Sequence, residues 1–144
     1  MYLKKNELKK EEDKNLKNPF RILVVEDDPQ ISNLLALFIK KYGYELCGVA
    51  ESGEDAIRLI ETTSPDVVFI DYLLKGSMNG IDLAQWINKE FPIPFIYITA
   101  YSDDQIIERV IHTCPSALIL KPFKGEEIRV AVEIIINRLS YKKQ

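Results

Sequence analysis

The chain has 144 residues, of which 47% are apolar and 28% charged, with a formal net charge of −3. That is the size and composition of one compact domain, and the slightly acidic balance argues against a nucleic-acid binder, which usually carries a basic stripe. The longest apolar runs, such as ILVV and VVFI, are far too short to cross a bilayer, so no membrane insertion is expected and the predicted location is cytoplasmic.

Residues 1–18 carry six lysines interspersed with four acids and few large apolar side chains. They read as a charged, mobile N-terminal arm, with the folded domain over 19–144. No apolar h-region or cleavage pattern follows them, so a presequence is not supported. From Arg21 to Glu26 the branched run RILVVE suits a buried parallel strand. Asp28 then caps a helix with Pro29 at its first position. Leu34, Leu37, Phe38 and Lys41 to Tyr42 are expected along one face of that helix, with Gly43 ending it in a left-handed conformation. A second strand spans Glu45 to Ala50. Ser52, with Asp55 three residues on, opens a second helix whose apolar face is Ala56, Ile57 and Ile60.

Pro65 leads into Asp66 to Ile70 (DVVFI), the most plainly buried strand. Gly76 and the Asn79-Gly80 pair mark a loop before a third helix, from about Gly80 to Lys89. Phe95 to Ile98 is a fourth strand. Ser102 with Gln105 predicts a capped fourth helix reaching about His112. Ala117 to Leu120 is a fifth strand, and Lys121-Pro122-Phe123 turns into a last helix from about Lys124 to Leu139. Cys47 and Cys114 lie in apolar stretches without metal-ligand spacing and are expected to be buried free thiols in a reducing compartment. His112 is expected to be a polar residue at a helix end, not a ligand.

Strict alternation of five strands with five helices predicts an α/β fold: an open five-stranded parallel sheet with helices on both faces, since parallel strands need crossovers. Functional residues of such sheets collect at the carboxyl ends of the strands, beside the switch point of strand order. That rule selects Glu26, Asp27 and Asp28 after the first strand, Asp71 after the third, Thr99 after the fourth and Lys121 after the fifth. Crowded carboxylates repel, and a divalent cation with hard oxygen ligands, Mg²⁺ above all, would stabilise them. A nucleophilic carboxylate, a metal, an ammonium group and a hydroxyl donor together suit phosphoryl transfer. Acids at strand ends are also ordinary helix caps, the plain reading of Asp28. Thr99 alone is equally an ordinary strand residue.

ILVVEDDP, VVFIDYLLKGSMNGIDL, FIYITAYSD and ALILKPF, in that order and spacing, resemble the receiver domain of two-component response regulators. The likeness extends from Phe20 to about Ser140, and the form DYLLKGSMNG resembles a subgroup found alone or beside sensory and kinase modules. It implies a (βα)5 receiver, or flavodoxin-like, fold with Asp71 as phospho-acceptor. It further implies direct metal ligation by Asp27, ligation through water by Glu26, and coordination by the backbone carbonyl of Leu73. Mg²⁺ is the implied cofactor, replaceable by Mn²⁺. Thr99 and Lys121 would contact the phosphoryl group, with the small Ala100 leaving it room, and the Lys121-Pro122 bond is commonly cis in this family.

Two departures stand out. Leu118 occupies the switch position, where the family usually has Tyr or Phe. The loop from Lys75 to Asn79 is one residue longer than in many relatives, which puts the seating of the third helix in question.

The implied donor is a histidine kinase or histidine phosphotransfer protein. The implied role is a phosphorylation-dependent signalling switch with output through protein contacts, not a turnover enzyme. The last helix carries apolar residues beyond one stripe (Val130, Ile134, Ile136), and the fourth adds Ile106, Ile107, Val110 and Ile111. These are either a broad core stripe or a face for a homodimer or another partner, built from the fourth helix, fifth strand and fifth helix. Two rival readings stay open at this point. An aspartyl-phosphate phosphatase would require an Asp-x-Asp-x-Thr-like run that Glu26-Asp27-Asp28-Pro29 does not match. An unphosphorylated adaptor would have little use for the complete set of Asp27, Asp71, Thr99 and Lys121.

Overall fold

The structure, a computed structural model, describes residues 19–100 and 103–142. The charged segment 1–18 and the proposed cap Ser102 lie outside them. Strands β1 (Arg21–Val25), β2 (Glu45–Ala50), β3 (Val67–Ile70), β4 (Phe95–Thr99) and β5 (Ala117–Leu120) alternate with helices α1 (Pro29–Lys41), α2 (Gly53–Thr63), α3 (Gly80–Glu90), α4 (Asp104–His112) and α5 (Gly125–Lys142). All strand pairs are parallel, in the order β2-β1-β3-β4-β5. The predicted doubly wound sheet is therefore present, and its order reverses between β1 and β3.

Alternation of side chains along each strand divides the apolar residues between two cores. Ile22, Val24, Val67, Phe69, Ile96 and Ile98 pack with Leu35, Ile39, Ile128 and Val132 of α1 and α5. Leu23, Val25, Val68, Ile70, Phe95 and Tyr97 pack with side chains of α2, α3 and α4, such as Ile60, Leu83 and Val110. Every residue of β3 is buried, as expected for a central parallel strand covered on both faces.

Local capping sets where the helices begin, and hence where the strand ends are exposed. Asp28 Oδ1 accepts from the Gln30 N–H at 2.9 Å, with Pro29 first in α1. Ser52 Oγ accepts from the Asp55 N–H at 3.2 Å. At α3 a complete box forms: Asn79 Oδ1 accepts from the Asp82 N–H at 2.8 Å, and Asp82 Oδ2 from the Asn79 N–H at 3.1 Å. The Lys121-Pro122 bond is cis, and Gly43 has φ +84° just beyond α1.

Four expectations need correction. The cap of α4 is Asp103, whose Oδ1 accepts from the Ile106 N–H at 3.0 Å. The buried face of α1 is Ser32, Leu35 and Ile39, while Leu34 and Leu37 point outward. Cys114 is exposed at φ +58°, and Cys47 is only partly buried. Of the apolar residues of α4 and α5 suspected of lying outside the core, Val110 is buried, and Ile106 and Ile136 pack against the cores. Ile111, Val130 and Ile134 remain exposed.

Candidate functional site

The carboxyl ends of β1, β3, β4 and β5 bring the selected residues together at the switch point. The Asp71 N–H donates to Val25 O at 3.0 Å and the Glu26 N–H to Ala50 O at 2.9 Å. Both acids are thus continuations of the sheet, with carboxylates carried just past its edge. Glu26 is 2% exposed and Asp71 7%, so each requires compensation for lost water. Lys121 supplies part of it: its Nζ donates to Glu26 Oε1 at 2.8 Å and lies 3.4 Å from Asp71 Oδ2. The Leu73 N–H donates to the other Asp71 oxygen, Oδ1, at 3.1 Å. The Lys121 N–H in turn donates to Thr99 O at 2.8 Å, tying the base of the lysine to the end of β4.

One ammonium group faces three carboxylates, those of Glu26, Asp27 and Asp71. Burial first, then the neighbouring Asp71, pushes the Glu26 carboxyl above its usual range, against the opposing effect of Lys121. At Lys121 burial acts to lower the ammonium pKa, but the Glu26 hydrogen bond and the Asp71 charge outweigh it and the net shift is upward. The upward shift at Lys121 against its burial reflects the carboxylates around it. One oxygen from each of Glu26, Asp27 and Asp71 lies within 4.8 Å of the others. Three hard anionic oxygens at that spacing, with Asp27 partly open to solvent, fit a divalent cation that keeps some of its waters.

The remaining candidates are placed as follows. Asp28 caps α1 with its side chain, and its N–H lies 3.4 Å from Glu26 Oε2, to which it donates. Thr99 is 3% exposed at the end of β4, and its hydroxyl makes no hydrogen bond with a described residue. Leu118 pairs with Tyr97 across the β4–β5 register and is 36% exposed on the edge strand. The adjacent aromatic is Tyr97 itself, fully buried and bonded through its hydroxyl to Thr113 Oγ1 at 2.7 Å. Sequence reasoning missed the attachment of the loop after Asp71 to the start of α2, where Ser77 Oγ donates to Glu54 Oε1 at 2.9 Å. No local pattern could reveal that long-range contact.

The family described as response regulator receiver domain matches residues 22–133. Transcriptional regulatory protein PdtaR of Mycobacterium tuberculosis is 32% identical over 120 residues, covering 83% of this chain and 58% of that protein. DNA-binding response regulator MtrA of Mycolicibacterium smegmatis is 29% identical over 118 residues, covering 82% of this chain and 51% of that one. The chain thus spans less than two thirds of the length of these curated relatives. Among solved structures, the signal receiver domain of a modulated diguanylate cyclase from Desulfovibrio desulfuricans superposes with a TM-score of 0.81 at 25% identity, covering 87% of this chain and 99% of that one. The signal receiver domain of a histidine kinase from Syntrophus aciditrophicus gives 0.74 at 28% identity, covering 81% and 89%.

Proposed function

The chain belongs to the response regulator receiver domain family, and from that premise we propose that Asp71 is its phospho-acceptor, taking a phosphoryl group from a partner histidine kinase or histidine phosphotransfer protein. Receiver domains are the phosphorylation-dependent switches of two-component signalling. The observation that carries the assignment is the place of Asp71: at the switch point of the sheet, buried, and sharing Lys121 with Glu26.

In the transfer, an Asp71 oxygen forms a P–O bond as the N–P bond of the phosphohistidine breaks and the imidazole leaves. Asp71 is held for this by the Leu73 N–H on Oδ1, which leaves Oδ2 beside Lys121. Lys121 neutralises a phosphoryl oxygen once it moves from Glu26, and the Thr99 hydroxyl, which bonds to no described residue, donates to another. Mg²⁺, or Mn²⁺ in its place, would be held by Asp27, Asp71 and the Leu73 carbonyl, with Glu26 reaching it through water, and would supply neutralisation of the charge on the transferring oxygens. Hydrolysis reverses the state: water attacks phosphorus, the P–O bond to Asp71 breaks, and inorganic phosphate leaves. The chain acts on itself and is not a turnover enzyme for a separate substrate.

In this reading residues 19–144 form the receiver unit and 1–18 a charged arm, a boundary supported by the family match over 22–133 and a first strand beginning at Arg21. Among the described residues no helix is long and apolar enough to cross a membrane, which agrees with a switch working in the cytoplasm. Output runs through protein contacts. The exposed Ile111, Leu118, Leu120, Val130 and Ile134 support a self-association face on α4, β5 and α5, with Leu118 as its switch position.

The test is intact mass after incubation with Mg²⁺ and acetyl phosphate. The parent gains one phosphoryl group, and Asp71→Asn loses at least about a hundredfold in rate, because an amide is no nucleophile. Equal labelling of the two would remove Asp71 from its role.

A further inference from the structure

The loop between Asp71 and α3 is tied, almost residue by residue, to the first turn of α2. Ser52 pairs with Lys75 in an isolated parallel bridge. Gly76 has φ +96°, and a Cβ there would stand 3.3 Å from Glu54 Oε2. Ser77 Oγ donates to Glu54 Oε1 at 2.9 Å. Met78 lies so close over Gly53 that a Cβ at 53 would meet its Sδ at 2.6 Å. The Glu54 main-chain N–H, and then Ser77, hold the Glu54 carboxyl below its usual range, so the carboxylate is the form that the loop binds.

Leu73, four residues before Ser77, has no such anchorage through its side chain, which is 65% exposed. Its main chain is fixed at the base of the loop, by its own N–H on Asp71 Oδ1 at 3.1 Å and by the Gly80 N–H on Tyr72 O at 3.0 Å. The attachment to α2 holds the other side of the loop.

We propose that Glu54 is a positioning residue for phosphoryl transfer at Asp71: by binding Ser77 it fixes the loop 75–78, and through it the main chain of Leu73 beside the acceptor. The inference rests on the reading of Asp71 as phospho-acceptor and adds to it a residue outside the acidic cluster. An acid in the first turn of a helix has a simpler use, complementing the helix dipole. That use would leave phosphoryl transfer untouched, and the difference is measurable.

The experiment follows labelling of the full chain by acetyl phosphate and Mg²⁺, in which an Asp71 oxygen bonds to phosphorus while the P–O bond to acetate breaks and acetate leaves. Parent, Glu54→Ala, Ser77→Ala, the double variant and Glu54→Gln are compared at saturating donor and metal, at a temperature where denaturant curves show each to be folded. Each alanine variant is expected to react about threefold to tenfold more slowly, since small misplacements of reacting groups are costly. The double variant should be no slower than the slower single one, because both substitutions break one contact. Glu54→Gln, whose amide oxygen still accepts from Ser77, should stay within about twofold of the parent. Mg²⁺ affinity, measured calorimetrically without donor, should weaken in the alanine variants alone.

Alanine variants that match the parent in both rate and Mg²⁺ affinity would overturn the proposal. So would a loss in Glu54→Gln equal to that in Glu54→Ala, which would place the effect in the charge. Should Glu54→Ala fail to fold, Ser77→Ala carries the test, since it removes only an exposed hydroxyl from the same contact. A parent that gains no phosphoryl group, or gains it elsewhere than Asp71, would instead remove the acceptor assignment and this inference with it.

Discussion

The two ends of strand β1 carry charge in opposite ways. At the amino end, Arg21 is surrounded by acceptors that it satisfies: its side chain donates to Glu45 Oε2 at 3.0 Å, to Thr63 O and to Ser64 O, while its N–H donates to Asp66 Oδ2 at 2.8 Å. The cation closes the carbonyl end of α2, as a base near a helix C-terminus should. At the carboxyl end, Lys121 is the one cation among the described residues that pairs with Glu26 and Asp71, and Asp27 adds a third carboxylate beside them. The Asp27 carboxylate and the Thr99 hydroxyl make no hydrogen bond with any described residue. One end is an electrostatically completed joint. The other is left incomplete, and the incompleteness is what makes room for a cation and an incoming anion.

Substitutions can break that contrast, the largest effect coming from the carboxyl end. Lys121→Ala leaves Glu26 and Asp71 buried without their cation and should cost about 1–3 kcal/mol of stability, read from urea midpoints. It should also slow labelling by acetyl phosphate at least about tenfold. A variant as stable and as reactive as the parent would mean that the lysine is a bystander.

Arg21→Met tests the other end. It should cost about 1–2 kcal/mol through the lost bonds to the end of α2 and leave the labelling rate of the folded protein unchanged. A change in rate would show that the two ends communicate.

Asp27→Asn sharpens the comparison further. It removes one repelling charge from an unpaired position, so stability without metal should hold or rise by about 0.5 kcal/mol. The increase in thermal midpoint that Mg²⁺ gives the parent through binding to the folded state should disappear. Retention of the full Mg²⁺ effect would exclude Asp27 as a ligand.

Between the two ends, inside the sheet, Tyr97 offers an effect on stability alone. Burial pushes the Tyr97 phenol from 10 up to about 12, with the Thr113 hydrogen bond acting the other way. The folded state then holds that proton more tightly than the unfolded chain does. Its contribution is intact below about pH 10 and declines as the pH rises toward 12. Tyr97→Phe should cost about 1 kcal/mol at neutral pH, because the Thr113 hydroxyl keeps its own bond to Val110 O. Its stability should then fall less steeply than that of the parent between pH 10 and 12. An equal slope would assign the alkaline loss to other groups, Tyr44 among them, whose phenol burial also raises.

What was legible in the amino-acid order follows from how local the physics is. The order of elements could be read because the strands are short branched runs and the starts of α1 to α4 carry caps, interactions spanning two or three residues. The acidic cluster could be read because a general rule about parallel sheets selects strand ends without requiring contacts. The face of α1 could not: Leu34, Leu35, Leu37, Phe38 and Ile39 form a nearly unbroken apolar run, and only the position of the sheet makes Leu35 and Ile39 the buried pair. The Ser102 and Gln105 spacing sets the α4 cap one residue too early, and the extended backbone at Asp103, whose side chain accepts from the Ile106 N–H, is the cap that forms. The apolar neighbours of Cys114 suggest burial, but its left-handed backbone comes just after the helix end and leaves it exposed. The contacts of Glu54 and Lys121 cross 23 and 95 positions of chain, and no periodicity encodes such pairs.

The base of the loop after Asp71 bears on chain length. Tyr72 O and the Gly80 N–H close it at 3.0 Å, and a Cβ at position 80 would meet Asp71 O at 2.5 Å. The start of α3 is thereby welded to the end of β3, whatever lies between. The residues from Lys75 to Met78, though tied to α2, do not set the phase of the helix. An added residue there cannot rotate Ile81, Ala84 and Ile87 out of the core, and lengthening a closed loop carries only a slowly growing entropic cost. A longer loop between these points leaves the helix behind it in place. Asp71 thus stays in register with the sheet, and α3 in phase with the core, through contacts that do not depend on the segment between them.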